Sequence, residues 1–313
     1  MPKVKARTAP KSASKPHENE AAEFAGVRVT HPDRVLFAAQ GVTKRDLIDY
    51  YLAVADLILP HVAHRPLALV RCPAGSSGQC FFQKHASAGF PDQFGHIRIK
   101  EKSATGEYLT IEDERGLVAA VQVGVLELHI WCSQTSTLEQ PDRMVFDFDP
   151  DEGLDFAHVR NAARDMRERL KDLGLESFPM ATGGKGIHVV VPLTPKHSWD
   201  EHRNFAEALA RVMAEEEPER FVANMSKAKR KGRIFVDYLR NQRGATAISP
   251  YSTRSRAGAF VATPVSWQQL ARLKDARPAT IEDAKTLLKA DPWPDYDKVK
   301  QALPLDRLAK LRK

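Results

Sequence analysis

Apolar residues recur along this chain with two periods, and the period changes several times. From Thr43 a T-x-x-D cap reaching Asp46 opens a helix with Leu47, Tyr51, Val54, Ala55 and Ile58 on one face, predicted to end near Pro60. Residues 156–174 repeat the helical spacing and stop at Gly174, and Ser198 with Glu201 caps a further helix through Met213. Alternation with period two marks strands at LALVRCP (67–73), MVFDFD (144–149) and IFVDYL (234–239). The segment FPMATGGKGIHVVVPL predicts two strands joined by a glycine-rich turn, and 117–131 reads as a helix followed by the strand LELHI. THPDRVLF (30–37) reads as a turn, and the last fifty residues as short helices divided by Pro278, Pro292, Pro294 and Pro304. No repeat and no clean linker interrupts this order, which predicts one integrated α/β (α+β) body.

Residues 1–24 break the pattern: they are rich in Pro, Ser, Lys and Ala, lack apolar periodicity, and are expected to form a flexible basic arm, with order beginning near Val27. The net charge of +7 is concentrated. Residues 1–17 contribute +5 and residues 226–243, SKAKRKGRIFVDYLRNQR, contribute +6, leaving −4 for the rest. Concentrated basicity suits a polyanion partner, although a solvated tail and a solvated loop have the same composition. No apolar run approaches the roughly 18 residues that span a bilayer, and no apolar leader opens the chain, so an intracellular protein with no membrane partner is expected. Cys72, Cys80 and Cys132 are odd in number and lack C-x-x-C spacing, which predicts neither a disulfide framework nor a structural zinc site.

In MVFDFD, alternation puts Val145, Asp147 and Asp149 on one face and Met144, Phe146 and Phe148 on the other. An apolar face opposite an acidic one reads either as a buried strand whose carboxylates share a cation or as a D-x-D pair capping a turn before Pro150. Asp237 in IFVDYL is a third carboxylate inside a strand. It reads as a ligand completing a pair of divalent ions, or as the ion-pair partner of Arg233 or Arg240. Oxygen donors favour Mg²⁺ or Mn²⁺ over zinc. GGKG (183–186) is not a Walker A loop; its backbone N–H groups and Lys185 suit an anion, and a hairpin turn with a solvated lysine is the alternative. His188 faces away from Ile187, Val189 and Val191, and His129 sits in LELHI; lone histidines in strands are often satisfied polar residues. In CFFQKH, Phe81 and Phe82 precede Lys84 and His85, a combination that stacks bases, with one phenylalanine expected in the core. TRSR sets Arg254 and Arg256 on one side of an extended segment, for a phosphate chain or for solvent.

In order and spacing, D-F-D-P, T-G-G-K-G-x-H, F-V-D-Y-L-R-N and A-x-S-P-Y-S-x-R-x-R together resemble the polymerase domain of bacterial ATP-dependent DNA ligase D, of the archaeo-eukaryotic primase superfamily. The resemblance runs from about Val27 to the C-terminus. It implies the primase fold, mixed central sheets with flanking helices, over 25–313. It also implies a template-dependent nucleotidyltransferase that fills gaps and extends broken ends in non-homologous end joining, tolerates ribonucleotides and favours Mn²⁺ over Mg²⁺.

By the same resemblance Asp147, Asp149 and Asp237 hold two metal ions, and Thr182, Lys185, His188, Arg230, Arg254 and Arg256 hold the triphosphate. His129 lies near the sugar, Phe82 stacks on the incoming base, and Phe81 faces the template. Arg34 and Lys44 form a pocket for a downstream 5′-phosphate. The implied partners are gapped or 3′-overhang DNA ends, NTPs and dNTPs, a Ku-type end-binding protein and, since no K-x-D-G adenylation motif is present, a separate ATP-dependent ligase. The implied location is the bacterial cytoplasm, at the nucleoid. A stand-alone primase-polymerase, an inactive end-binding module and a metal-dependent nuclease are the competing readings.

Overall fold

Met144, Phe146 and Phe148 are fully buried, so the apolar face of the aspartate strand is core. A computed structural model describes residues 21–307. At its centre is a six-stranded sheet in the order Phe221–Val222, Ile234–Asp237, Arg143–Pro150, Ile187–Pro192, Phe178–Ala181, Thr263–Pro264. All of its pairings are antiparallel except that of the first two strands. The helices Phe156–Asp172 and Trp199–Glu216 cover the apolar face: Val159, Ala162, Met166, Phe205 and Leu209 join Phe146 and Phe148 in one buried cluster. Asp155 caps the first helix and Gly174, with φ +78°, ends it; Ser198 and Glu201 form the box opening the second.

A four-stranded sheet, in the order Ala247–Ile248, Val125–Ile130, Leu67–Arg71, Phe81–Gln83, packs with the helices Lys44–Ala53, Ala55–Val62 and Glu114–Gln122 around a second core. A third cluster, with Trp131, Val145, Val190, Trp199 and Ile248, joins residues of both sheets. The Thr43–Asp46 box is present, but the helix breaks at Val54 and resumes, so Pro60 lies inside the second helix instead of ending the first.

Order begins earlier than expected, because Ala22–Phe24 pairs with Val27–Val29 through Ala25 and Gly26, both at positive φ. This is a two-residue hairpin turn, and alanine, which resists positive φ, hid it. The rest of the expected arm lies outside the described residues. Within the expected turn at 30–37, Val35–Phe37 forms a short strand against Val42–Thr43. The cysteine expectation is also corrected: Cys72 and Cys80 are bonded, with Cα atoms 4.3 Å apart. The cause is register, since Arg71 pairs with Phe81 and the next residues outward therefore face each other. Cys132 is free and buried. Among the described residues no helix is long and apolar enough to cross a membrane.

Candidate active site

Three neighbouring strands place three polar residues in one row. Asp147 is the cross-strand partner of Asp237 on one side and of His188 on the other, while Asp149 stands opposite Phe235, one step toward the strand end. Directly opposed side chains in a sheet lie about 5 Å apart at Cβ, so the two carboxylates meet. They converge on one cation: Nη2 of Arg240 is 3.2 Å from Asp147 Oδ2 and 3.1 Å from Asp237 Oδ2. Of the two candidate partners for Asp237, Arg240 is the one found; Arg233 donates to the Pro218 carbonyl at 3.2 Å. Asp237 Oδ1 accepts from the Leu239 amide at 2.8 Å. Arg230 donates to Asp149 Oδ2 at 2.9 Å and lies 4.0 Å above the Phe235 ring.

The titration of the row follows from this packing. Burial alone would raise Asp147, but His188, 3.5 Å away, and then Arg240 outweigh it and hold the carboxyl well below the usual range. Asp149 is pushed up by burial and then by the Asp147 charge. Burial also raises Asp237, against the pull of Arg240 and with the Asp147 charge adding. Nδ1 of His188, buried, has no partner. This hard-oxygen set fits a divalent cation by donor chemistry. Among the described residues no three His, Cys, Asp or Glu side chains are already gathered around one point, and Arg240 occupies the space between Asp147 and Asp237 that an ion held by both would need.

Asp147, Asp149 and His188 line a cavity of about 390 Å³ together with Lys185, Arg240, Arg254 and Arg256, and His129, Thr182 and the Gly184–Gly186 turn complete it; Asp237 stands beside Asp147 just outside its lining. Thr182 Oγ donates to the Gly186 carbonyl at 2.9 Å, closing the turn, and Arg254 donates to the Thr182 carbonyl at 3.3 Å. Gly183 has φ +67°, and a Cβ there would lie 2.9 Å from Val261 O. A Cβ on Gly186 would lie 2.6 Å from the Phe148 carbonyl oxygen, so glycine is what lets the turn close on the aspartate strand. The extended segment carrying Arg254 is tied to the helix Lys44–Ala53 by Tyr51, whose hydroxyl lies 3.1 Å from Thr253 Oγ.

The sequence marks Arg240 only as a candidate partner of Asp237, and does not bring out Glu127. Glu127 is buried, lies 3.4 Å from Arg254 Nε and 2.8 Å from His129 Nε2, and accepts from the amide and hydroxyl of Ser255 at 2.8 Å each. Burial would raise it, but His129 and Arg254 hold it near about 2. An acid between two apolar positions of VLELHI was the available signal. Phe82 sits edge-on to His129 at 5.6 Å. Neither phenylalanine is in the core: Phe81 is 43% and Phe82 49% exposed, because Phe81–Gln83 is an edge strand, and Arg71 covers Phe81 at 5.5 Å.

Away from the cavity, Lys44 is buried, donating to Thr30 O at 2.8 Å and to Gln122 Oε1 at 3.1 Å. Burial, then the Arg34 charge, lowers its pKa to about 8. Arg34 is exposed and donates to the Pro73 carbonyl at 3.4 Å.

Carboxylates and clustered cations lining one cavity, on a mixed α/β fold, suit nucleotidyl transfer. A family model described as LigD, primase-polymerase domain, matches residues 43–293, and the chain belongs to that family. It is 38% identical over 289 residues to the multifunctional non-homologous end joining protein LigD of Pseudomonas aeruginosa, covering 90% of this chain and 34% of that protein. The LigD protein of Mycolicibacterium smegmatis is 35% identical over 247 residues, covering 78% of this chain and 32% of that protein. The chain thus spans about a third of the length of these curated relatives. The solved polymerase domain of Mycobacterium tuberculosis ligase D in complex with DNA superposes with a TM-score of 0.80 at 31% identity, over 87% of this chain and 98% of that one.

Proposed function

We propose that this chain extends DNA 3′ ends at breaks and gaps from nucleoside triphosphates, using two divalent ions, Mn²⁺ in preference to Mg²⁺, and accepting ribonucleotides. The observation that carries the reading is that Asp147, Asp149 and His188 line one cavity with Lys185, Arg254 and Arg256, with Asp237 paired to Asp147 on the adjacent strand. Its carboxylates suit cations, and its cations suit phosphates. The relatives' names, with their reference to end joining, and the DNA in the mycobacterial complex support the substrate and the pathway.

In this reading Asp147, Asp149 and Asp237 are the metal ligands. Bound there, divalent ions supply the charge that lowers the pKa of the primer 3′-hydroxyl and neutralises the leaving pyrophosphate. Lys185, Arg254 and Arg256 take the triphosphate together with Thr182 and the N–H groups of the glycine turn, and they stabilise negative charge as it grows. Glu127 orients Arg254 and His129 by holding both. Asp149 and the Asp147–Asp237 pair would have to give up Arg230 and Arg240 to hold ions, which would leave Arg230 available to phosphate. His188 supports Asp147 and the triphosphate. His129 lies by the sugar, Phe82 stacks on the incoming base and Phe81 on the template. Arg34 meets the downstream 5′-phosphate, with the charge of Lys44 behind it. A Ku-type protein and a separate ATP-dependent ligase complete the repair.

The test is primer extension on a gapped duplex with Mn²⁺ and labelled nucleotides. Asp147→Ala with Asp149→Ala should lose synthesis by at least about a hundredfold while end binding stays nearly intact. Equal loss of both activities would contradict the assigned roles, and strand cleavage without incorporation would point to a nuclease.

A further inference from the structure

The strand that ends in the aspartates begins with a second unusual side chain. Arg143 is 3% exposed; its Nη2 donates to His61 Nδ1 at 3.2 Å, its guanidinium lies 5.4 Å from the Tyr296 ring centre, and its Nε has no partner. Among the described residues no carboxylate pairs with it. Asp142, the acid beside it, gives both oxygens to Arg65 at 2.7 Å each. The other buried titratable neighbours, His61, Cys132 and Tyr296, are neutral near pH 7. Burial and then the two arginines push His61 well below its usual value, and burial pushes the Cys132 thiol up to about 11 and the Tyr296 phenol upward. Two buried guanidiniums against one carboxylate leave one positive charge uncompensated. An unpaired buried charge costs several kcal/mol, and an anion that relieves it binds with that advantage.

Space for the anion is present. Arg143, Arg65 and the Arg65-bound Asp142 line a cavity of about 280 Å³ with Gln134, Thr137 and Thr194, and its exposed lining carries one charge of each sign, Lys300 and Asp297. That volume lies at the lower end of ligand pockets, too small for a nucleotide with its base and sugar enclosed. No lining residue is shared with the nucleotide cavity. At the rise of an antiparallel strand, Arg143 and Asp147 are roughly 13 Å apart on the same face.

We infer that this cavity is a second anion site, taking a small phosphate-type oxyanion, either free or as the head of a small phosphomonoester. The guanidinium supplies a charge-assisted fork, the threonine hydroxyls and Gln134 supply neutral donors, and Lys300 draws the anion in. The inference is independent of the polymerase reading, because it uses none of the same residues.

Thermal unfolding of the whole chain at constant ionic strength tests it, with inorganic phosphate and glycerol 3-phosphate as separate probes. A saturable rise of about 3 °C is expected at ten times the dissociation constant. The rise should survive Arg256→Gln, which alters only the nucleotide cavity, be lost in Arg143→Gln, and shift to several-fold higher concentration in Lys300→Gln. If Arg143→Gln does not fold, the exposed Lys300→Gln decides. Tighter binding of glycerol 3-phosphate identifies a phosphomonoester as the occupant, and tighter binding of phosphate the free anion. Absence of a saturable rise, a rise abolished by Arg256→Gln, or a response unchanged in both Arg143→Gln and Lys300→Gln would overturn the inference.

Discussion

Replacing Gly186 with alanine adds one carbon at the tightest contact between the phosphate-side turn and the aspartate strand. The new Cβ would lie 2.6 Å from the carbonyl oxygen of Phe148 and 3.3 Å from Asp147 Oδ1. The first contact is with backbone in the middle of the central sheet, so the turn must retreat by roughly 0.5–1 Å to reach ordinary separation. Overpacking of this kind costs about 1–3 kcal/mol. A displacement of reacting groups near 1 Å costs on the order of a hundredfold in rate. Gly184 is the internal control, because a Cβ there meets only Thr182 Oγ at 3.5 Å and Arg256 Nη1 at 3.8 Å, both ordinary contacts. Steady-state primer extension with Mn²⁺ and thermal unfolding should therefore separate the two variants. Gly186→Ala is expected to lose roughly a hundredfold in kcat/KM and a few degrees in Tm, and Gly184→Ala to stay within about threefold. Wild-type kinetics in Gly186→Ala, or a larger loss in Gly184→Ala, would refute the placement of the turn against the aspartates.

Arg240→Met should destabilise the metal-free protein by about 2 kcal/mol, the lower side of a broken buried pair because Arg240 is partly exposed, and Mn²⁺ should restore most of the loss in calorimetry. A variant indifferent to Mn²⁺ would count against ion binding between Asp147 and Asp237. Lys44 makes the preference for a 5′-phosphorylated gap depend on pH: with a folded pKa of about 8, its charge is complete well below pH 8 and disappears above it. The ratio of extension on phosphorylated and unphosphorylated gaps should fall as pH rises through 8 and stay flat in Lys44→Arg. Between about 8 and 10.5 the unfolded chain keeps a proton that the folded chain has lost, so Lys44 makes stability rise with pH across that window.

Much of the fold is legible residue by residue. The capping boxes at Thr43 and Ser198, the Gly174 stop and the two faces of 144–149 follow from local rules, because a cap or an alternation needs only neighbours a few positions away. Two of the misreadings share one cause. The Cys72–Cys80 bond and the exposure of both Phe81 and Phe82 depend on which strands pair, in what register, and which strand is left at an edge.

The candidate site divides the same way. Alternation alone put Asp147 and Asp149 opposite a core of Met144, Phe146 and Phe148, and the basic run around Asp237 marked a second charged strand. What alternation cannot contain is register. Asp147 faces Asp237 and His188 only because strands distant in the chain align at those residues. Arg240 lies between the carboxylates only because the chain turns in a short helix at Leu239–Asn241 just after its strand, and Glu127 reaches Arg254 only because the segment 252–255 runs beside the strand Val125–Ile130. Strand period is a property of successive backbone bonds and is written locally. The choice of partner strand is settled by burying two apolar faces together, and only the folded chain makes that choice.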